Sequence, residues 1–164
     1  MRKQKGFSLI ELLIVVAIIL IIAAIAIPNL LRSRIAANEA SAVGSMRTIN
    51  TAEMTYASTY PAAGFAITLP TLASPSASPA NCNQPLSTGA CLIDDTLALA
   101  TSGANAKSGY FFTIATDPNL GYTLLGAPKT PGTTGIKNFY TDATAVIHYT
   151  TDGSGALNSS PAIQ

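Results

Sequence analysis

The residues able to do chemistry in this sequence are few, and their settings say more than their number. Glu11 is the first acid, set in an apolar run from Phe7 to Ile27 in which only it and Ser8 are polar. A carboxylate inside such a run weakens membrane insertion by about 2.5–3.5 kcal/mol at mid-helix, so it needs a partner to justify it. Cys82 and Cys91 are the only two cysteines. In an oxidising compartment an even pair suggests a disulfide, and no third or fourth ligand lies near enough for a metal site. His148, the single histidine, falls in an alternating stretch and reads as a solvated strand residue rather than a base. Asp94 and Asp95 read as caps of a short helix. No set of nucleophile, base and orienting group is visible, so the chain is read as a non-enzyme without a catalytic residue, metal ligand set or cofactor.

The elements that must position Glu11 come next. The chain has 164 residues, 48% hydrophobic and only 10% charged, with formal net charge +1. That length suits one modest core. Near-neutral charge excludes a nucleic-acid binder driven by phosphate neutralisation. Most of the hydrophobicity is concentrated at the start. Arg2, Lys3 and Lys5 precede Gly6, and from Leu12 to Ile27 every residue is Ala, Val, Ile or Leu. The 21 residues from Phe7 to Ile27 would span about 30 Å as a helix, the thickness of a hydrocarbon core. Basic residues before the run favour an N-in, C-out orientation.

A cleavable secretory signal is one reading, with Ala24-Ile25-Ala26 as its small-residue site. A plain membrane anchor carrying a binding domain is another. Neither accounts for Glu11. The run Lys5-Gly6-Phe7-Ser8-Leu9-Ile10-Glu11-Leu12-Leu13 resembles the prepilin peptidase recognition motif of type IV pilins and type II secretion pseudopilins. That resemblance implies cleavage between Gly6 and Phe7, N-methylation of the new Phe7 terminus, and retention of the apolar helix. It implies a helix kink at Pro28, where such proteins carry a distorting proline. It also implies assembly through Glu11, whose carboxylate can pair with the α-amino group created at Phe7. An unperturbed α-amino group titrates at about 7.7–8.0, so it is mostly cationic at neutral pH.

The expected fold is α+β: a long N-terminal helix, half transmembrane and half packed on a head, with a four-stranded antiparallel sheet. We divide the chain into a leader (1–6), an assembly helix (7–28), an amphipathic continuation (29–60), a loop region with disulfide and short helix (61–108), a sheet (109–151) and a loose tail (152–164). Leu31, Ile35, Ala42, Met46, Ile49, Tyr56 and Tyr60 follow helical spacing, with Arg32, Arg34, Glu39, Arg47 and Glu53 assigned to other faces. Prolines at 61, 70, 75, 79 and 85 mark residues 61–90 as irregular, and Ser74 to Pro79 is a low-complexity patch, read as a bare loop. Strand signals cover 109–116, 121–125, 138–141 and 145–150, joined through Asp117-Pro118-Asn119 and Asp142-Ala143-Thr144.

The resemblance implies a helical homopolymer, prepilin peptidase as processing partner, and an inner-membrane assembly platform with an ATPase. The precursor would sit in the inner membrane and the assembled filament at the cell surface; a pseudopilin role is the alternative. Major pseudopilins carry a calcium site near the C-terminus, and Asp142 and Asp152 are a thin basis for an ion that takes six to eight oxygen ligands.

Overall fold

The computed structural model describes residues 7–74, 82, 85–117 and 121–163. The leader, the patch at 75–79, the turn residues Pro118 and Asn119, and Gln164 lie outside the described residues. The chain divides into two compact units, Met1–Arg34 and Ile35–Gln164.

One helix, α1, runs over Leu9–Thr59 and continues through Pro28. Proline removes one backbone donor and crowds the preceding turn; the strong helix formers on both sides carry the helix past it. Within the first unit every described residue is exposed except Ala23, which is half-buried. Within the second unit α1 buries Ile35, Ala42, Met46, Ile49, Ala52 and Tyr56, the apolar stripe expected from a 3.6-residue period. On its solvent face Thr48, Thr51, Thr55 and Thr59 donate their hydroxyls to the carbonyls four residues back, which leaves no side-chain donor stranded. Leu31, expected on the stripe, is 42% exposed, because it falls before Ile35, where the core begins.

Glu53 corrects the expectation most sharply, since it is fully buried. Its residue type points to solvent, but its spacing does not. Glu53 lies seven residues after Met46 and four after Ile49, so helical geometry puts it on the buried stripe.

Four strands follow: β1 Tyr110–Asp117, β2 Gly121–Pro128, β3 Asn138–Asp142 and β4 His148–Thr150. They form an antiparallel meander in the order β1-β2-β3-β4. Alternation turns Tyr110, Phe112 and Ile114 of β1, Tyr122 and Leu124 of β2, and Phe139 of β3 into one core with Met46, Ile49 and Tyr56 of α1. The helix approaches the sheet closely at Gly126, where a Cβ would meet the Met46 sulfur and the Phe112 ring at 3.3 Å.

Three segments depart from expectation. Residues 61–90 are not wholly irregular: Leu69–Leu72 form a one-turn helix, α2, with Pro70 in its first turn, where a missing N–H costs nothing. β4 begins at His148 rather than 145. Asp142 accepts from Thr144 N–H and Oγ–H and Ala145 takes φ 61°, so the connection is longer than three residues. The tail is not loose, since Tyr149 N–H donates to Pro161, Ile163 N–H donates to Ile147, and Ala156 is buried. A bridge joins Ala162 to His148, so the tail extends the sheet past β4. The short helix α3, Asp95–Ala98, is capped as expected, with Asp94 accepting from Leu97 N–H at 3.2 Å.

Candidate assembly segment and the polar groups of the head

The candidate functional segment starts where α1 starts. Phe7 is 79% exposed, and Ser8 N–H donates to Glu11 Oε2 at 2.9 Å. With Leu9 as the first helical residue, Ser8 occupies the N-cap and Glu11 the third helical position. The contact is therefore half of a capping box, and the acid also complements the positive end of the helix dipole. The sequence expectation did not include this role, although the Ser8–Glu11 spacing is its signature. In this chain the Phe7 nitrogen is a peptide amide and offers Glu11 no α-ammonium. Glu11 is already held one turn from that nitrogen by the cap. Gly6 lies outside the described residues.

From Phe7 to Leu31 the large apolar residues are 42–80% exposed. α1 is the one described helix long and apolar enough to cross a membrane, and its apolar window buries nothing within the molecule. Such a surface marks a membrane or partner contact.

The described head residues bring together no constellation for catalysis. Cys82 and Cys91 are joined by a disulfide with Cα atoms 5.7 Å apart. Among the described residues no cluster of three or more His, Cys, Asp or Glu is arranged to hold a metal. Asp152 Oδ1 accepts from Ser154 N–H and Oγ–H, which hold its carboxyl below the usual range. His148 Nδ1 lies 2.6 Å from the Ser160 carbonyl and fixes the tail. Burial alone would push Asp94 up; hydrogen bonds from Thr96, Lys107 and Leu97 outweigh it and hold the carboxyl down.

A buried polar layer between α1 and the sheet was likewise outside the sequence expectation. Tyr122 OH donates to Asn50 Oδ1 at 2.9 Å, and Asn50 Nδ2 donates to Thr141 Oγ1 at 3.1 Å. One turn on, Glu53 accepts only from Ala66 N–H, and burial raises its carboxyl to about 7 against that single favourable bond. At the other end of the head Glu39 accepts from Ile136 N–H and pairs with Lys137 at 3.2 Å, and Lys137 Nζ lies 5.2 Å from the Tyr149 ring centre.

Residues 1–27 match the family model of the prokaryotic N-terminal methylation motif. Among characterised proteins, the type IV wide pilus major component PilA4 of Thermus thermophilus is 67% identical over 39 residues, 24% of this chain and 30% of that protein. The type IV major pilin protein PilA of Myxococcus xanthus is 43% identical over 54 residues, 33% of this chain and 24% of that protein. The chain thus spans less than a third of the length of the curated relatives it matches. No solved structure matches the chain significantly. The N-terminal segment of the chain is thus similar to that of type IV pilins, and the similarity is confined to that segment.

Proposed function

We propose that the protein is a structural subunit of a type IV pilus-like filament, made as an inner-membrane precursor, processed by prepilin peptidase and polymerised from the membrane. The observation that carries this reading is the exposed, largely apolar helical segment from Leu9 to Leu31, which in the sequence follows Gly6-Phe7-Ser8 and carries Glu11 in its first turn. On this reading residues 1–6 are the leader, 7–28 the assembly helix with a kink at Pro28, and 29–60 its continuation into the head. Lipid tails are as apolar as Leu, so exchanging lipid for neighbouring helices gains little from the hydrophobic effect. Extraction therefore needs external work, supplied by an assembly platform and its ATPase. Copies related by a rotation that does not close build a helical filament.

Glu11 gives that exchange its register. After cleavage the Phe7 ammonium becomes available to the carboxylate on its own or a neighbouring chain. In apolar surroundings either charge alone is costly, so mismatched registers are rejected. Removal of Arg2, Lys3 and Lys5 leaves six Lys and Arg against eight acids, a side-chain balance of −2.

The test is the identity of the protein in purified surface filaments. Mass spectrometry should find this chain as the main component, beginning at N-methylated Phe7. A chain beginning at Ile27 would instead establish a secretory signal, and one beginning at Met1 a plain anchor. Processed chain that never forms surface filaments would establish a pseudopilin.

A further inference from the structure

Among the described residues, Glu53 Oε1 is the one buried side-chain polar atom without a hydrogen-bond partner, while Oε2 accepts from Ala66 N–H at 2.9 Å. Glu53 is 0% exposed. The ionisable groups facing it are Tyr56 on its own helix and Tyr122 on β2, with Asp142 of β3 beyond Tyr122. None of these is a cation. The two ion pairs among the described residues, Lys107–Asp94 and Lys137–Glu39, lie elsewhere. α2 contributes Leu69 and Leu72 to this core and no titratable side chain. An ionised carboxylate here would be buried with one hydrogen bond and no countercharge, whereas a protonated one is tolerated.

The Ala66 contact bears on a larger piece of chain. Residues 64–74 cross from the end of α1 into α2. Carbonyls of Thr71, Leu72 and Ala73 then accept from the N–H groups of Ala90, Cys91, Leu92 and Ile93. The strap therefore carries the return of the segment closed by the Cys82–Cys91 disulfide. Its start is a glycine, Gly64, with φ 72° and open space around it, a backbone state that glycine adopts without strain. α1 and the sheet on the other sides of Glu53 are held by continuous hydrogen-bond ladders. The strap is thus the route by which water most easily reaches Oε1.

We propose that Glu53 is a proton-operated latch: as a neutral carboxyl it holds residues 64–74 against α1, and loss of its proton releases this strap into local opening while the sheet stays folded. The raised carboxyl, near 7, puts the weakening of the latch between the ordinary glutamate value and about pH 7, with no further change above it. This inference concerns the head alone and does not depend on filament assembly.

The test is hydrogen exchange by mass spectrometry on the full-length chain in detergent micelles, from pH 5.5 to 8, with rates corrected for the intrinsic pH dependence of amide exchange. Because Glu53 ionises less readily in the closed state than in the open one, protection of peptides within 61–74 should fall about tenfold per pH unit up to about pH 7 and level off above it. Protection of β1 and β2 should stay level, and Glu53→Gln should abolish the fall. Constant strap protection, an equal fall in Glu53→Gln, or a fall shared by the sheet would each overturn the latch. Should the variant fail to fold, carbon-detected NMR titration of the native Glu53 carboxyl decides. A midpoint above about 6 supports the latch, and one near the ordinary glutamate value of about 4.3 contradicts it.

Discussion

The two halves of α1 share a helical period and have opposite fates. Ile18, in the first unit, is 52% exposed, while Met46, in the second, is 0% exposed. The first half is apolar on every face, and no other described part of its unit is available to cover it. The second half confines its apolar residues to one stripe and covers them with its own sheet. A stripe needs an intramolecular partner; a helix that is apolar all round needs lipid or other copies. On the proposed function, head stability and assembly are then separable properties written into one helix, and substitutions in the two halves should fail in different ways.

The largest contrast is expected from truncating side chains. Met46→Ala or Phe112→Ala should cost the head about 2–5 kcal/mol, as the loss of a buried side chain and the cavity left behind. Ile18→Ala should change head stability by less than about 0.5 kcal/mol. Denaturant unfolding of the head in micelles, followed by tyrosine signals, measures both. Equal losses would mean that the first half supports the head, and the separation would fail.

A pH series sharpens the same contrast. Below about pH 4.5 Glu53 is protonated in folded and unfolded chains, and it contributes no penalty. Between 4.5 and about 7 the unfolded chain releases the proton and the folded head keeps it. Stability therefore falls by up to about 1.4 kcal/mol per pH unit and stays low above 7. Glu53→Gln should flatten this window in a pH series of unfolding curves; Glu11→Gln should leave it unchanged. Reduction of Cys82–Cys91, which closes a loop of ten residues, should lower head stability by about 2.7 kcal/mol on the chain-entropy account. Paired unfolding curves with and without reductant check this, and membrane insertion should not respond. The smallest effect is expected for Lys137→Ala. Loss of its half-exposed pair with Glu39 should cost under about 1 kcal/mol and shrink further in high salt.

Much of this architecture is legible in the sequence because it follows from pattern. The apolar run, the stripe through Ile35, Ala42, Met46 and Ile49, and the aromatic strand at 110–117 each carry a clear period. The Gly6–Phe7–Glu11 spacing is equally plain. What escapes depends on contacts between distant segments. Nothing local tells that Pro161 and Ile163 return to Tyr149 and Ile147, and a Ser/Gly/Asn-rich tail reads as loose until those bonds form. Pro70 reads as a breaker because its first-turn position depends on α2 docking against residues 90–93. Glu53 reads as a solvent-facing residue when charge is weighed above spacing. The Ser8–Glu11 cap is hidden when Glu11 is considered only as a partner for an amine.

The central claim is that the exposed half of α1 assembles the filament and that Glu11 guides it through charge. The direct measurement is filament yield from Glu11→Gln, scored together with the N-terminus and membrane content of the subunit. This change keeps the shape and a hydrogen-bond acceptor for Ser8 N–H but deletes the charge that would meet the Phe7 ammonium. The account predicts normal insertion, a chain beginning at Phe7, and a sharp fall in surface filaments, with processed subunit accumulating in the inner membrane. Normal filament yield from a fully processed Glu11→Gln chain would contradict it.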